Sequence, residues 1–243
     1  MPIRAKIEDA FFDVLKGIAV KKVVFVVAGG EFGDPGFFRD RWAAVSPALI
    51  CADGGARHLR DAGIVPDLIV GDMDSLDPAS EKYYRDLGCR IVRHPRQKDE
   101  TDTELALREA FGMGATEVWI WGAMGNRLDH TLANICLLRQ GTEQGVDVKL
   151  VDSWCEVFLA SGRAVLEGVA GQTVSFFPFD GDATGVTLTG FEYPLTKATM
   201  TAAHPSGVSN RFTGERGTVD LDGGCLLAVR YFRPGDFPGE KKV

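Results

Sequence analysis

Short apolar runs alternate with helical periodicity over the first two thirds of the chain. Residues 23–28 form a continuous β-branched run, as expected for a strand that is buried on both faces of a parallel sheet. The segments between such runs carry apolar residues every three or four positions, which indicates helices. Strands that alternate with helices predict crossover units, and therefore an α/β domain of three layers with a mostly parallel sheet. The predicted strands are 23–28, 48–51, 67–70, 89–92, 117–121 and 146–151.

The pattern changes after Asp152, where helical periodicity disappears. Short apolar runs are now separated by Gly, Pro, Asp and Ser at intervals of roughly 8–12 residues, which is typical of an antiparallel sandwich. The sequence therefore predicts an α/β domain over 23–152 and a smaller all-β sandwich domain over 153–232. Residues 1–22 are predicted to form a helical extension, with a helix at 7–17, and residues 233–243 a frayed tail. The predicted strands of the second domain are 156–160, 164–166, 173–177, 185–188, 199–202, 217–221 and 226–231.

Composition narrows the possible functions. The 243 residues include 27 Lys and Arg against 34 Asp and Glu, without a block of basic residues, so nucleic acid is not a predicted partner. The five cysteines are scattered and odd in number, which favours reduced core residues over disulfides or a zinc site. Acidic residues interrupt the N-terminal apolar positions, and no window is apolar enough to span a membrane. We therefore expect a cytoplasmic protein that does not bind membranes.

Acidic residues follow the strand predicted at 67–70. That run ends at Gly71 and is followed by Asp72 and Asp74, and ligands of open α/β sheets bind beyond the carboxyl ends of the strands. Two adjacent carboxylates repel each other unless a positive charge lies between them, and carboxylates together with substrate phosphates are the ligands that Mg²⁺ prefers. The alternative is an acidic turn whose side chains accept hydrogen bonds from the backbone.

Two further strand ends carry similar groups. Asp53 precedes a glycine pair that lets a ligand approach the backbone closely, although a plain tight turn explains the glycines equally well. After the strand at 89–92, Gln97 and Lys98 are candidates for binding phosphate oxygens, with Asp99 and Asp102 next to them. Acidic residues in a first helical turn are also favoured by the helix dipole alone, and that alternative stays open for Asp102.

A glycine-rich loop at 122–127 joins the strand at 117–121 to the next helix. It carries Arg127, whose planar guanidinium matches a phosphate. His130 in that helix is equally consistent with a structural role. Neither the Walker phosphate loop nor the dinucleotide fingerprint occurs. Acidic residues at strand ends, together with Lys98 and Arg127, are suited to binding a nucleoside triphosphate through Mg²⁺, where catalysis comes mainly from positioning and charge neutralisation.

Four motifs occur in a characteristic order: CADGGA at 51–56, PDLIVGDMDSL at 66–76, KDETDTELAL at 98–107 and GAMGNRLDHTLAN at 122–134. Together they resemble the bacterial thiamine pyrophosphokinase family. The resemblance implies transfer of a pyrophosphoryl group from ATP to the hydroxyl of thiamine, which gives thiamine diphosphate and AMP. It also implies a homodimer in which thiamine lies between the α/β domain of one subunit and the sandwich of the other.

The resemblance also implies roles for individual residues. Metal ligation is implied for Asp72, Asp74 and Asp99, which with Arg127 form the implied catalytic set. Thiamine binding is implied for Ser209 and Asn210, in a region where residues 193–195 and 207–210 resemble the thiamine-binding part of the family. The residues implied to surround ATP are Asp53, Gln97, Lys98, Asp102, Arg127 and Asp129.

Some positions depart from the family pattern, and two other functions are compatible with parts of the sequence. Asn126 stands where glycine is common, Met73 replaces an aromatic residue and Arg211 replaces an acid. One alternative is a haloacid-dehalogenase-like phosphatase in which Asp72 is the nucleophile, but that function leaves Asp53 and the other strand-end groups unused. The other is a nucleotide or thiamine sensor that binds without turnover.

Overall fold

The computed structural model of the protein describes residues 21–204 and 206–233. The helix predicted at 7–17 and the tail predicted beyond residue 233 lie outside these residues. The first part of the described chain is a parallel sheet with the strand order β4-β3-β2-β1-β5-β6. Its strands are β1 Val23–Val27, β2 Ala48–Ala52, β3 Leu68–Gly71, β4 Arg90–Arg93, β5 Glu117–Trp121 and β6 Asp147–Val151.

Helices cover both faces of this sheet, because its inner strands are apolar on both sides. Phe25 of β1 lies in one buried cluster with Phe38, Leu59 and Tyr84 of the first three helices. Val24 points the other way and lies in a second cluster with residues of the last two helices. The predicted α/β arrangement of three layers is therefore confirmed. The helices are α1 Pro35–Val45, α2 Ala56–Asp61, α3 Pro78–Asp86, α4 Asp102–Gly112 and α5 Leu128–Gln144.

The strand order reverses at β1. The chain adds β2, β3 and β4 on one side of β1, then crosses through α4 and adds β5 and β6 on the other side. The helices that follow β1 and β5 therefore pack on opposite faces of the sheet, and such a reversal point is the position where open α/β sheets form a ligand crevice. A ligand site is therefore expected at this edge of the sheet.

The second part of the chain is all-β, as predicted. The strand β9 spans both of its layers: the N-terminal half pairs with β11, the C-terminal half pairs with β10 and β12, and β13 runs along most of it. The two strands predicted at 173–177 and 185–188 are thus one strand, and β11 was not predicted. The strands are β7 Cys155–Ala160, β8 Arg163–Glu167, β9 Thr173–Thr189, β10 Leu195–Met200, β11 Gly207–Arg211, β12 Arg216–Asp220 and β13 Gly223–Tyr231.

The sheet continues without a break across the boundary predicted at residue 153. β7 pairs antiparallel with β6 and then with β13. Alternating charges on these strands join the two parts: Lys149 Nζ lies 3.2 Å from the carboxylate of Glu117 and 3.3 Å from that of Glu156, which also pairs with Arg230. The separate domain boundaries stay a prediction, since strand pairing links both parts.

The helices of residues 21–204 and 206–233 do not combine the length and the apolar character needed to cross a bilayer.

Candidate active site

A cleft of about 1020 Å³ opens at the carboxyl ends of β1, β2, β3 and β5. Its walls are the loops that follow these strands and the beginnings of α4 and α5. Residues from each of the four sequence motifs line it. Those predicted from the sequence are Asp53, Asp74, Lys98, Asp102 and Arg127. The strand-end groups therefore lie along one cavity, as their positions in the sequence predicted.

The floor of the cleft is built by the loops after β1 and β5, which are hydrogen-bonded to each other. The backbone N–H of Gly30 donates to the carbonyl of Gly122 at 2.8 Å. Gly122 has φ +62°, and a Cβ atom there would lie 2.5 Å from the carbonyl oxygen of Ala28, so a side chain does not fit. The buried amide of Asn134 on α5 donates to the carbonyl of Ala123 at 2.7 Å and fixes the second loop. The floor is thus rigid and made of backbone.

Three carboxylates meet at one end of the cleft. These are the side chains of Asp53, Asp72 and Asp74. Each contributes one carboxylate oxygen, and the three oxygens lie within 4.8 Å of one another. Asp53 is only 3% exposed; its Oδ2 accepts from the backbone N–H of Ser75 at 3.2 Å, whereas its buried Oδ1 has no hydrogen-bond partner among the described residues. A set of hard oxygen ligands with one unpartnered acceptor fits a divalent cation such as Mg²⁺.

The electrostatics of Asp53 agree with this fit. Burial raises the pKa of its carboxyl group, hydrogen bonds from Ser75 lower it, and the nearby charges of Asp102 and Asp72 raise it further. The ionised form is therefore disfavoured in the protein alone. A cation between these carboxylates would remove the repulsion and stabilise all of them as ligands.

The backbone around residues 71–74 is shaped to bring these acids together. Gly71 has φ +152°, and a Cβ atom there would lie 2.8 Å from the Cβ of Asp53 and 3.1 Å from a carboxylate oxygen of Asp102. Met73 adopts φ +63°, unusual for a residue with a side chain, and its side chain is buried in the core. The left-handed turn thus anchors Met73 inward while its two acidic neighbours stay at the cleft.

Three acidic residues in or near the cleft, Asp74, Asp102 and Asp129, have cationic partners. Lys98 Nζ lies 2.5 Å from a carboxylate oxygen of Asp102. Arg96 donates to Asp74 at 2.7 Å. The guanidinium of Arg127 donates to both oxygens of Asp129 at 2.9 and 2.6 Å, and this pairing lowers the pKa of Asp129 to about 2. The cleft therefore combines cations that can bind phosphate with carboxylates that can bind a metal.

Comparisons with known proteins identify the family of this chain. The family model for the thiamin pyrophosphokinase catalytic domain matches residues 39–150, and the model for the thiamin pyrophosphokinase vitamin B1 binding domain matches residues 164–226. Thiamine pyrophosphokinase from Bacillus subtilis is 32% identical over 183 residues, which are 74% of this chain and 86% of that protein. The chain belongs to the thiamine pyrophosphokinase family.

Other relatives agree with this assignment. Thiamine pyrophosphokinase 1 from Oryza sativa is 28% identical over 74% of this chain and 77% of its own length. The crystal structure of the Bacillus subtilis enzyme has a TM-score of 0.78 at 29% identity and covers 86% of this chain and 99% of that one. The corresponding structure from Geobacillus thermodenitrificans has a TM-score of 0.75 at 27% identity and covers 88% and 100%.

Membership of the thiamine pyrophosphokinase family confirms the class of function predicted from the four motifs. The protein is an enzyme of the transferase class, and its family binds thiamine and ATP. Kinases of this kind need a divalent cation, which agrees with the carboxylates in the cleft. The phosphatase and sensor alternatives are not favoured.

Four residues implied for ATP or metal are not among those that line the cleft: Gln97, Asp99, Asp129 and Asp72, of which Asp72 still belongs to the carboxylate group. The side chains of Gln97 and Asp99 are exposed and do not line the cavity. The closely spaced carboxylate group contains Asp53, which was implied as an ATP-binding residue, rather than Asp99. Strand order does not explain the difference, because β2 and β4 both flank β3; Asp53 directly follows the last residue of β2, whereas Asp99 lies farther along the loop between β4 and α4. The ligand role of Asp99 stays a prediction.

The two residues implied for thiamine lie on β11, away from the cleft of the same chain. Ser209 is exposed, with φ +59°, and its backbone N–H donates to the hydroxyl of Ser175 at 3.0 Å. Asn210 is buried, and its side-chain amide donates to the carbonyl of Tyr193 at 2.9 Å and accepts from the N–H of the same residue at 3.0 Å. Ser209 is thus free to contact a ligand, whereas Asn210 fixes the Tyr193 backbone.

Some residues of the site were missed in the sequence. His58 lines the cleft; its ring stacks on Phe32 with centroids 4.9 Å apart, and its Nε2 lies 2.9 Å from the carbonyl oxygen of Gly30. Burial lowers the pKa of His58, so the neutral ring supports the loop after β1. Its position about one helical turn after Gly54 and Gly55 could have marked His58 as a candidate cleft residue in the sequence. Arg96 had no such signal, since its contact with Asp74 joins loops from different strands.

Proposed function

We propose that the protein transfers the pyrophosphoryl group of ATP to the hydroxyl of thiamine in a Mg²⁺-dependent reaction that gives thiamine diphosphate and AMP. The observation that carries this proposal is the group formed by Asp53, Asp72 and Asp74 within 4.8 Å, beside a cleft that also holds Lys98 and Arg127. Family membership supports the same reaction.

The metal site would be held by Asp72 and Asp74, with the unpartnered Oδ1 of Asp53 as the third ligand. Bound Mg²⁺ would neutralise negative charge on the phosphate oxygens and hold them for in-line attack. The contribution of the chain is to fix these carboxylates in place, since phosphoryl-type transfer relies on positioning and charge stabilisation more than on a strong base. Asp99 is retained as a further proposed ligand.

The nucleotide would occupy the cleft above the rigid backbone floor. Lys98 is only 12% exposed at its side chain and lines the cleft, so its ammonium is suited to a phosphate in a partly dry environment. Arg127 is held at the beginning of α5 by Asp129 and presents the rest of its guanidinium to the cavity. Gln97 and Asp102 complete the proposed surroundings of ATP.

We further propose a homodimer in which Ser209 and Asn210 of one subunit contribute to a thiamine site beside the cleft of the other. Exposed apolar side chains support an interface: Leu128 and Leu132 on α5 are 67% and 55% exposed. Tyr193 is 61% exposed on the sandwich. A cytoplasmic location also stays a proposal.

The test is product analysis with purified protein, ATP, thiamine and Mg²⁺. We expect thiamine diphosphate and AMP in equal amounts, and no AMP when thiamine is omitted or the metal is chelated. ADP with thiamine monophosphate would contradict pyrophosphoryl transfer. Inorganic phosphate released from a simple ester would support the phosphatase, and binding of both ligands without product would support the sensor.

A further inference from the structure

Arg96 contacts the candidate metal site directly. It lies on the loop after β4, and its Nη2 donates to Oδ2 of Asp74 at 2.7 Å. The other oxygen of Asp74 accepts from the hydroxyl of Ser75 at 3.1 Å. Both oxygens of this carboxylate are thus engaged in the protein alone. A cation that binds Asp74 therefore shares its carboxylate oxygens with these two contacts.

Arg96 also compensates charge in the carboxylate group. Asp53, Asp72 and Asp74 place three acids within 4.8 Å of one another, which needs a nearby positive charge. Among the residues that the structure describes, the ion pair reaching this group is that of Arg96, because Lys98 pairs with Asp102 instead. The positive charge of Arg96 therefore offsets part of the carboxylate charge that a divalent cation would otherwise offset.

The ion pair is easily exchanged. The side chain of Arg96 is 77% exposed and that of Asp74 is 43% exposed, and exposed ion pairs contribute little to stability. A guanidinium would also repel a divalent cation bound to the same carboxylate. Binding of the metal at Asp74 therefore favours movement of Arg96 away from this carboxylate. Its long side chain carries a planar fork of donors, which matches the oxygens of a phosphate.

We propose that Arg96 is a positioning residue that holds Asp74 in the metal-free protein and moves to a nucleotide phosphate when a divalent cation binds. This inference rests on the proposed function for the identity of the phosphate. It predicts that metal and nucleotide bind cooperatively: a cation alone is opposed by the charge of Arg96, whereas a cation that enters with a nucleotide also brings a new anion for Arg96.

The first test measures Mn²⁺ binding to the nucleotide-free protein by electron paramagnetic resonance, with Mn²⁺ as the probe of the divalent site. Arg96→Gln removes the competing cation, so we expect Mn²⁺ to bind about three- to tenfold more tightly than in the wild type. Arg93→Gln is the matched control: Arg93 lies nearby on the same segment, is exposed and pairs with Glu81 of α3. This control should leave Mn²⁺ binding unchanged.

The second test measures binding of a non-hydrolysable ATP analogue with Mg²⁺ by calorimetry. Arg96→Gln should weaken this binding about tenfold, because one charged contact to phosphate is lost. Arg96→Lys keeps the charge but not the fork, so it should bind Mn²⁺ as the wild type does and bind the analogue with intermediate affinity. Opposite shifts of the two affinities in Arg96→Gln are the signature of the proposal, since general loss of structure would weaken both.

Several results would overturn the proposal that Arg96 moves from Asp74 to a nucleotide phosphate. Unchanged or weaker Mn²⁺ binding in Arg96→Gln would show that Arg96 does not compete with the metal. The same gain in Mn²⁺ affinity in an Asp74→Asn background would show that the effect does not pass through Asp74. Failure of the proposed function is distinguishable, because it would appear as absence of AMP in the wild type, whereas the Mn²⁺ titration needs neither thiamine nor turnover.

Discussion

Replacement of Gly71 by alanine tests how closely the site depends on its backbone. The new Cβ atom would lie 2.8 Å from the Cβ of Asp53, whereas carbon atoms in contact are normally about 3.5–4.0 Å apart. Asp53 must therefore move by about 1 Å, and a displacement of this size at a catalytic group can lower the rate about 100-fold. A rate loss of that size corresponds to about 2.7 kcal/mol of transition-state stabilisation.

Gly71→Ala should also lower the free energy of unfolding by roughly 1–3 kcal/mol, because φ +152° is strained for a residue with a side chain. The assay is kcat/KM for AMP formation, with urea unfolding measured on the same sample. Gly63→Ala is the control, since Gly63 also has a positive φ, of +69°, but nothing lies within 4 Å of the added methyl group. It should lose about 1 kcal/mol of stability and keep its activity. A Gly71→Ala protein within threefold of the wild-type kcat/KM would refute the reasoning.

Three further predictions concern the metal ligands, the cleft histidine and β11. Asp72→Asn or Asp74→Asn should cut turnover by well over about tenfold and leave the urea midpoint unchanged, since removal of crowded like charges seldom destabilises; near-normal turnover in both would exclude a ligand role. The pKa of His58 is lowered in the folded protein, so the unfolded chain binds more protons below its own pKa of about 6.5. The wild type should therefore lose stability relative to His58→Gln as the pH falls below about 6.5, and parallel unfolding curves across that range would contradict this. Asn210→Ala should cost about 1–3 kcal/mol of stability by leaving buried backbone groups unpaired, and raise KM for thiamine, whereas Ser209→Ala should raise only KM; equal stability losses in the two variants would count against the distinction.

The periodicity of the sequence was sufficient to predict the α/β part and the edge of the sheet that carries the site. Strands buried on both faces produce continuous apolar runs, and several of these runs are followed by residues that line the cleft, such as Asp53 after β2 and Asp74 after β3. The sandwich was predicted as a class, but β9 was divided in two, because Asp180, Gly181 and Asp182 look like a turn in the sequence although the strand continues through them.

The finer chemistry of the site could not be predicted, because it depends on distances between segments that are far apart in sequence. Asp53 and Asp99 both follow strands that flank β3, and the path of each loop after its strand decides which of them lies beside Asp72. Asn210 is of a residue type that often contacts ligands, but its side-chain amide is hydrogen-bonded to the backbone of Tyr193. The role of Arg96 depends on a contact between two loops.

The pairing of β6 with β7 has a consequence for attempts to dissect this protein. A fragment that ends at residue 152 would expose the whole hydrogen-bonding edge of β6, together with the half-buried ammonium of Lys149 stripped of its partner Glu156. Unpaired edges of this kind template aggregation. The α/β part is therefore not expected to fold well alone. Chimeras that exchange the sandwich should be joined beyond β7, within a turn of the sandwich, so that β7 stays paired with β6.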